Sequence, residues 1–413
     1  MNPSPSTMGD IKLTYRFILL GIFSFMIFNL LFFQGTYHLA QGIYRVNDIW
    51  VLVHTFILGF LMMVVMGVMY QLIPVALLVS IYSNRLSKIQ FWTYAVGVIG
   101  LLVGLWTVNT TWMAFFGTLT FTGVLLFVLN MLLSVKKLIQ WNAMALIIVT
   151  AIFYLFNTVL FGLLLVLNYR FAWFPNIHDQ LLYTHILFGI VGWLSSIIIG
   201  FSYKMAPMFS LAHGYSEKFS KWIYSGIQLG IILLVVGIFS HIPFFNWIGA
   251  LFIVIGFVLF SYQMSEIMKH KMKSTLDIGF QVAVYAVYGS LFIIGLAIIL
   301  YMFLGMSILL PFAYFFIMGW IGFSILGYLY KIVPFLYWTD KYSDKVGKEP
   351  VPMLKDLVSE KKGKIAFSLL FIGLIGNGLG IGLHFISFIW LSNTIYTLGA
   401  VYYGYLILRV FKA

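Results

Sequence analysis

The sequence predicts an all-α integral membrane protein, with twelve transmembrane helices arranged as three four-helix units. Three observations carry that expectation. The chain of 413 residues is 62% hydrophobic and only 8% charged, a composition that ordinary soluble domains do not have. Apolar runs longer than about 18 residues, the length needed to cross a bilayer, recur from end to end. One spacing of glycine, tyrosine and proline also returns three times.

That spacing is clearest in HTFILGFLMMVVMGVMYQLIP, residues 54–74. From Gly59 it runs eight residues to Gly67, three to Tyr70 and four to Pro74. It recurs as Gly192, Gly200, Tyr203, Pro207 and as Gly319, Gly327, Tyr330, Pro334. One such match has a chance expectation of roughly 0.005 at this composition, so three mark an internal repeat. The periods are 133 and 127 residues, about four membrane helices each. Helix packing through glycine accounts for the residue types, but not for three copies of one register.

The spans are expected, in order, near 12–34, 48–80, 89–107, 112–135, 142–168, 179–208, 219–240, 244–268, 278–304, 307–338, 363–383 and 386–411. The leader MNPSPSTMGD is polar and the first span is too long for a signal-peptide core, so no cleavable signal is expected. Spans two, six and ten carry the repeat, and each closes on Tyr-x-x-x-Pro. An even number of spans separates the copies, which makes the repeat parallel rather than inverted. The three units are approximately 12–135, 142–268 and 278–411, within one membrane domain covering 1–413. Loops are short, apart from the charged stretch 339–363, where Pro350 and Pro352 argue against a continuous helix. The segment NYRFAWFPNIHD, 168–179, mixes aromatics with Arg170 as an interfacial segment would.

The net charge is +13, yet its placement excludes a nucleic-acid partner. Of 24 Lys and Arg residues, all but Arg45 and Arg170 fall on the side of the N-terminus. This bias is the positive-inside signal, and it predicts a bacterial-type cell membrane with both termini cytoplasmic. The lipid bilayer and its anionic head groups are therefore the expected partners. The chain has no cysteine, which removes thiolate ligands and iron–sulfur clusters.

Six of the eight histidines, His38, His54, His178, His185, His241 and His384, lie on or near the outer side. His54 follows Asp48 by six residues, and His185 follows Asp179 by six. Both therefore sit about 9 Å inside the outer end of a repeat span. They are not equivalent: His54 stands five residues before its first glycine and His185 seven. Two residues turn a helical side chain by about 200°, so the rings address different spaces between helices. The matching positions in the third copy are Tyr314 and Phe312. Two readings follow: interhelical hydrogen bonding, or ligation of haem iron or copper by neutral imidazole. His38 and His384 could face His54 from neighbouring helices, and His178 stands seven residues, about two helical turns, before His185. Acidic residues are almost absent from span centres, so a proton relay of paired carboxylates finds no support.

With twelve spans, the threefold repeat, and HTFILGFLMMVVMGVMYQLIP and THILFGIVGWLSSIIIGFSYKMAPMF as spans two and six, the whole chain resembles subunit I of the haem-copper oxidase superfamily. It is also similar to the shorter NnrS-type membrane haem proteins. In that family spans two, six and ten carry metal ligands near the outer side. The resemblance implies that His54 takes the place of a low-spin haem ligand and that His185 begins its span where a copper-site histidine would. It implies haem b and copper as cofactors, with His38 and His384 near the haem and His178 near the metal. Haem, quinone or other respiratory subunits become the expected partners, in a redox, nitric-oxide-related or accessory role. The sequence departs from the family in span ten, where Phe312-Ala313-Tyr314 replaces His-x-His, and in span seven, which has no His-His pair. A complete dinuclear centre is therefore not expected. The alternative is a cofactor-free transporter, or an assembly or accessory subunit, on the same scaffold.

Overall fold

The computed structural model describes residues 9–412, and all of their regular structure is helical. The long helices are α1 (Ile11–Ala40), α2 (Asn47–Leu77), α3 (Asn84–Trp106), α4 (Thr110–Val135), α5 (Ala143–Phe171) and α6 (Pro175–Ser210). They continue as α7 (Ser220–Ser240), α8 (Pro243–Lys269), α9 (Ile278–Leu304), α10 (309–342), α11 (Glu360–Gly382) and α12 (Ile386–Val410). Among the described residues, ten segments are long and apolar enough to cross a bilayer; one of them, Ile278–Lys345, contains both α9 and α10, and α12 falls outside the ten. The protein is thus a multi-pass helical membrane protein whose surroundings are lipid.

Local chemistry sets the helix ends. The side chains of Ser83, Asn109, Asn142 and Ser359 each accept a hydrogen bond from the backbone three residues on, at the start of α3, α4, α5 and α11. Such caps satisfy one of the donors a helix start leaves open. Ser83 explains why α3 begins at Asn84, ahead of the expected 89.

The chain divides into two compact units. The first joins the N-terminal stretch through Thr14 to Met66–Lys273; the second joins Tyr15–Val65 to the chain from Ser274 onward. The division between second and third quartets falls at Lys273/Ser274, in the connection between α8 and α9, whereas the other two cuts fall inside α1 and α2.

Within the first unit, α3 and α4 form a hairpin closed by reciprocal glycines. A Cβ on Gly97 would lie 2.6 Å from the Thr120 nitrogen, and one on Gly123 would lie 2.7 Å from the Tyr94 backbone. The α7–α8 hairpin repeats the device, with Gly230 and Gly249 each facing the other's carbonyl oxygen at 2.8 and 2.9 Å. Without a hydrophobic force between helices in lipid, such close backbone approach is what holds the pairs. In the second unit α11 and α12 close through Gly373 against Tyr396 and Gly399 against Leu370. There α9 meets α10 through Gly279 and Gly327, again reciprocally.

The repeated glycines and tyrosines acquire definite jobs. The first glycine of each copy packs against the span before it: Gly59 on Ser24, Gly192 on Tyr154, Gly319 on Ile293. Two of the tyrosines secure the early part of a neighbouring span. Tyr70 donates to Gln90 Oε1 at 3.2 Å in the first unit, and Tyr330 donates to the Ser359 carbonyl at 3.1 Å in the second. Tyr203 differs, because its buried hydroxyl has no hydrogen-bond partner. Each proline sits inside its helix and lacks the N–H that would bond the carbonyl four residues earlier, which is the tyrosine's. In the first copy Gly9 N–H takes up that Tyr70 carbonyl at 3.1 Å. A Cβ on Gly9 would stand 2.8 Å from the same oxygen, so only glycine fits.

The expected loop 339–363 is folded back on α10. Trp338 Nε1 donates to the Pro352 carbonyl at 2.7 Å, a short 3-10 turn covers Leu354–Asp356, and Leu357 is buried.

Candidate histidine and amide sites

Each repeat span changes its winding at one place. Residues Thr55–Met62, Phe188–Ser195 and Phe315–Gly322 form π-helix, eight residues in every case. The repeated glycine, Gly59, Gly192 or Gly319, is the fifth residue of its π segment. The sequence repeat is therefore a structural one, and its shared feature is a stretch of i→i+5 winding. Such stretches are rare and frequent at functional sites. The residue that precedes them is His54 in the first copy, Leu187 in the second and Tyr314 in the third.

In the second unit, His54 is half-buried at the end of the α-helical lead into its π segment. Its Nδ1 lies 2.7 Å from the Trp50 carbonyl, one turn back. A carbonyl can only accept, so Nδ1 carries the proton and Nε2 the lone pair. Asp48, in the first turn of α2, pairs with His38 at 3.3 Å. His384 occupies the left-handed turn after α11, with φ +56, and its Nδ1–H reaches the Ala40 carbonyl at 2.6 Å. It is exposed.

In the first unit, His185 stands three residues before its π segment and donates from Nδ1 to the Thr158 carbonyl on α5 at 2.8 Å. Its ring lies against Gly162, where a Cβ would come within 3.0 Å of Cε1. His178 begins the α-helical part of α6 and makes a 3.1 Å contact to the Asn168 amide, while Gln180 bonds His241 at 3.1 Å.

The donor set bears directly on the cofactors. His54 and His185 both have the tautomer that an axial haem ligand takes, fixed by a backbone carbonyl on the far nitrogen. Their chemistry fits haem iron. A copper centre fits poorly: among the described residues no group of three or more His, Asp or Glu side chains gathers around one point. His38, His54 and His384 therefore do not combine into a three-donor cluster.

A second cluster, of amides and tyrosines, lies in the second unit and is not anticipated by the histidine pattern. Asn29, Tyr314, Asn377, Asn393 and Tyr396 are drawn together from α1, α10, α11 and α12. Asn393 donates to the Asn29 carbonyl at 3.2 Å, and Tyr314 faces Asn377 and Tyr396. The signal was present, because an amide inside an apolar span is costly unless used. No family profile matches the chain, and no curated protein matches it.

Proposed function

We propose that the chain is a haem-copper-oxidase-like membrane protein of twelve spans, with both termini cytoplasmic, that binds haem b without a complete dinuclear centre. The carrying observation is the shared state of His54 and His185: each gives its Nδ1 proton to a main-chain carbonyl and so presents Nε2 as a donor. Each also stands within three residues of a π segment placed at the same point of the repeat. His54 would hold the haem in the second unit and His185 in the first. A haem held by either would supply one-electron chemistry and an open coordination position. Thr158 and Gly162 orient the His185 ring, and Trp50 orients that of His54. Quinone or a respiratory subunit is the natural electron partner for such a site. Copper has no place in the proposal, for want of a three-donor group.

A cofactor-free accessory or transport role is the second reading. It is favoured by Tyr314 and Phe312 standing where a third copy would carry imidazoles. The packed rings of Phe25, Phe28, Phe56 and Phe60 in the second unit favour it too. A pyridine haemochromogen spectrum of protein expressed with ample haem precursor decides between the two. We expect b-type haem, lowered by His54→Ala and by His185→Ala but not by His384→Ala. Protein without haem sinks the first reading. Equal haem content in the His54 and His384 variants shows the wrong axial ligand was chosen.

A further inference from the structure

The amide and tyrosine cluster of the second unit contains six buried polar atoms without a hydrogen bond of good geometry, of which only Tyr314 Oη and the Asn377 amide come near enough to each other to interact by hydrogen bonding: Asn29 Oδ1, Tyr314 Oη, both side-chain atoms of Asn377, Asn393 Oδ1 and Tyr396 Oη. Asn29, Asn377, Asn393 and Tyr396 are at most 1% exposed. Buried polar atoms are nearly always satisfied, and leaving one bare costs stability. Six together in one place are not a tolerable accident of packing.

The geometry makes them a single site. Phe25, Asn29 and Phe32 recur at i, i+4 and i+7 along one face of α1. The Phe25 ring meets Tyr396 at 6.3 Å and the Phe32 ring meets Tyr314 at 5.9 Å, so Asn29 lies between the two tyrosines. Opposite it, Asn377 stands between Gly376 and Gly378. A Cβ on the first would overlap the Ser392 hydroxyl of α12, and one on the second would overlap the Phe315 ring of α10. The backbone of α11 is thereby pressed onto both neighbours, and the amide between them is fixed in place.

We propose that Asn29, Tyr314, Asn377, Asn393 and Tyr396 enclose a binding site for a small uncharged guest that both donates and accepts hydrogen bonds. The amide nitrogen of Asn377 donates, the three amide oxygens accept, and the two hydroxyls do either. The site has no ionised side chain of its own, and ion pairs of this unit such as Lys331–Asp277 and Lys345–Glu349 are made by other residues. A charged guest would stand uncompensated in a low dielectric, which excludes it. Six open atoms suit about two or three molecules the size of water, each making about three bonds. One organic hydroxyl- or carbonyl-bearing compound would serve the same atoms. The inference stands apart from haem binding, since none of the five residues is proposed as a haem ligand.

The test uses the full-length protein in detergent. Infrared difference spectra in ordinary water and in oxygen-18 water report internal water as an isotope-shifted O–H stretch. We expect that band in the wild type and its loss in Asn377→Leu and in the milder Tyr396→Phe. If the guest is organic, the band is missing. Mass spectrometry of denatured protein then finds one compound at about one per chain, absent from both variants. Either guest stabilises the site, so both variants should melt lower, by about 2–8 °C. A wild type with neither guest overturns the proposal. Variants that melt higher than wild type overturn it as well, because an apolar replacement would then be relieving bare polar atoms.

Discussion

The pairing of α9 with α10 gives a prediction whose sign changes within one helix. Gly279 and Gly289 both lie in α9. A methyl group at Gly279 would stand 2.7 Å from the Gly327 carbonyl oxygen and 2.9 Å from Tyr330 Cβ. Both obstacles are backbone or the root of a large side chain, so the helices must part. Overpacking of that kind costs about 1–3 kcal/mol. Against it, alanine is the better helix former by up to about 1 kcal/mol. The net loss for Gly279→Ala is about 1–2 kcal/mol. Gly289 has nothing within 4 Å of its would-be Cβ, so Gly289→Ala keeps only the gain, about 0.5–1 kcal/mol. The two variants should therefore differ by about 1.5–3 kcal/mol. Reversible unfolding in mixed micelles, followed by the fluorescence of the 12 tryptophans, measures it. Gly327→Ala, the reciprocal contact, should behave like Gly279→Ala. Equal stability of the Gly279 and Gly289 variants would refute the close approach as the source of that pairing.

Two further outcomes are expected besides those for haem and for the buried guest. Burial alone would raise the Asp10 carboxyl, but the Lys88 ammonium at 3.0 Å and the Leu13 and Lys12 amides outweigh it and hold it below its ordinary 3.8. Its stabilisation is therefore present above pH 4 and is lost as pH falls through the depressed value. Asp10→Ala should cost about 1 kcal/mol at pH 7 through the lost helix cap, with a further ~0.5 kcal/mol at most from the half-exposed ion pair. A melting profile against pH should show the variant flat where the wild type declines; parallel curves would count against the cap. Tyr70→Phe removes a hydroxyl bonded to Gln90 and should cost about 1 kcal/mol, whereas Tyr203→Phe removes one without a hydrogen-bond partner and should cost nothing or stabilise. Thermal melts of the two proteins compare them, and an equal loss in both would count against the difference.

Much of this was written plainly in the chain. Apolar runs placed the helices, and the spacing of Gly59, Gly67, Tyr70 and Pro74 found a register that the three π segments share. The winding itself was not legible, because HTFILGF and PFAYFFI contain no residue that demands i→i+5 bonding. Pro74 announced a freed carbonyl, but its taker, Gly9, is remote in sequence and is identified only by the fold. The histidines were visible, while their tautomers depend on Trp50 and Thr158, one of them on another helix. The asparagines at 29, 377 and 393 could be seen singly as polar intrusions. Their convergence is a property of four helices together, and no local pattern encodes it.

The three π segments also matter for how the spans can be altered. Bonding to the fifth residue gives about 4.4 residues per turn in place of 3.6. Over eight residues the chain falls behind an α-helix by about 140°. Each span is thus a shaft with a swivel partway along: the length before it, with His54, His185 or Tyr314, can be re-aimed by gaining or losing one residue there. The length after it, with the tyrosine and proline that moor the helix, keeps its heading.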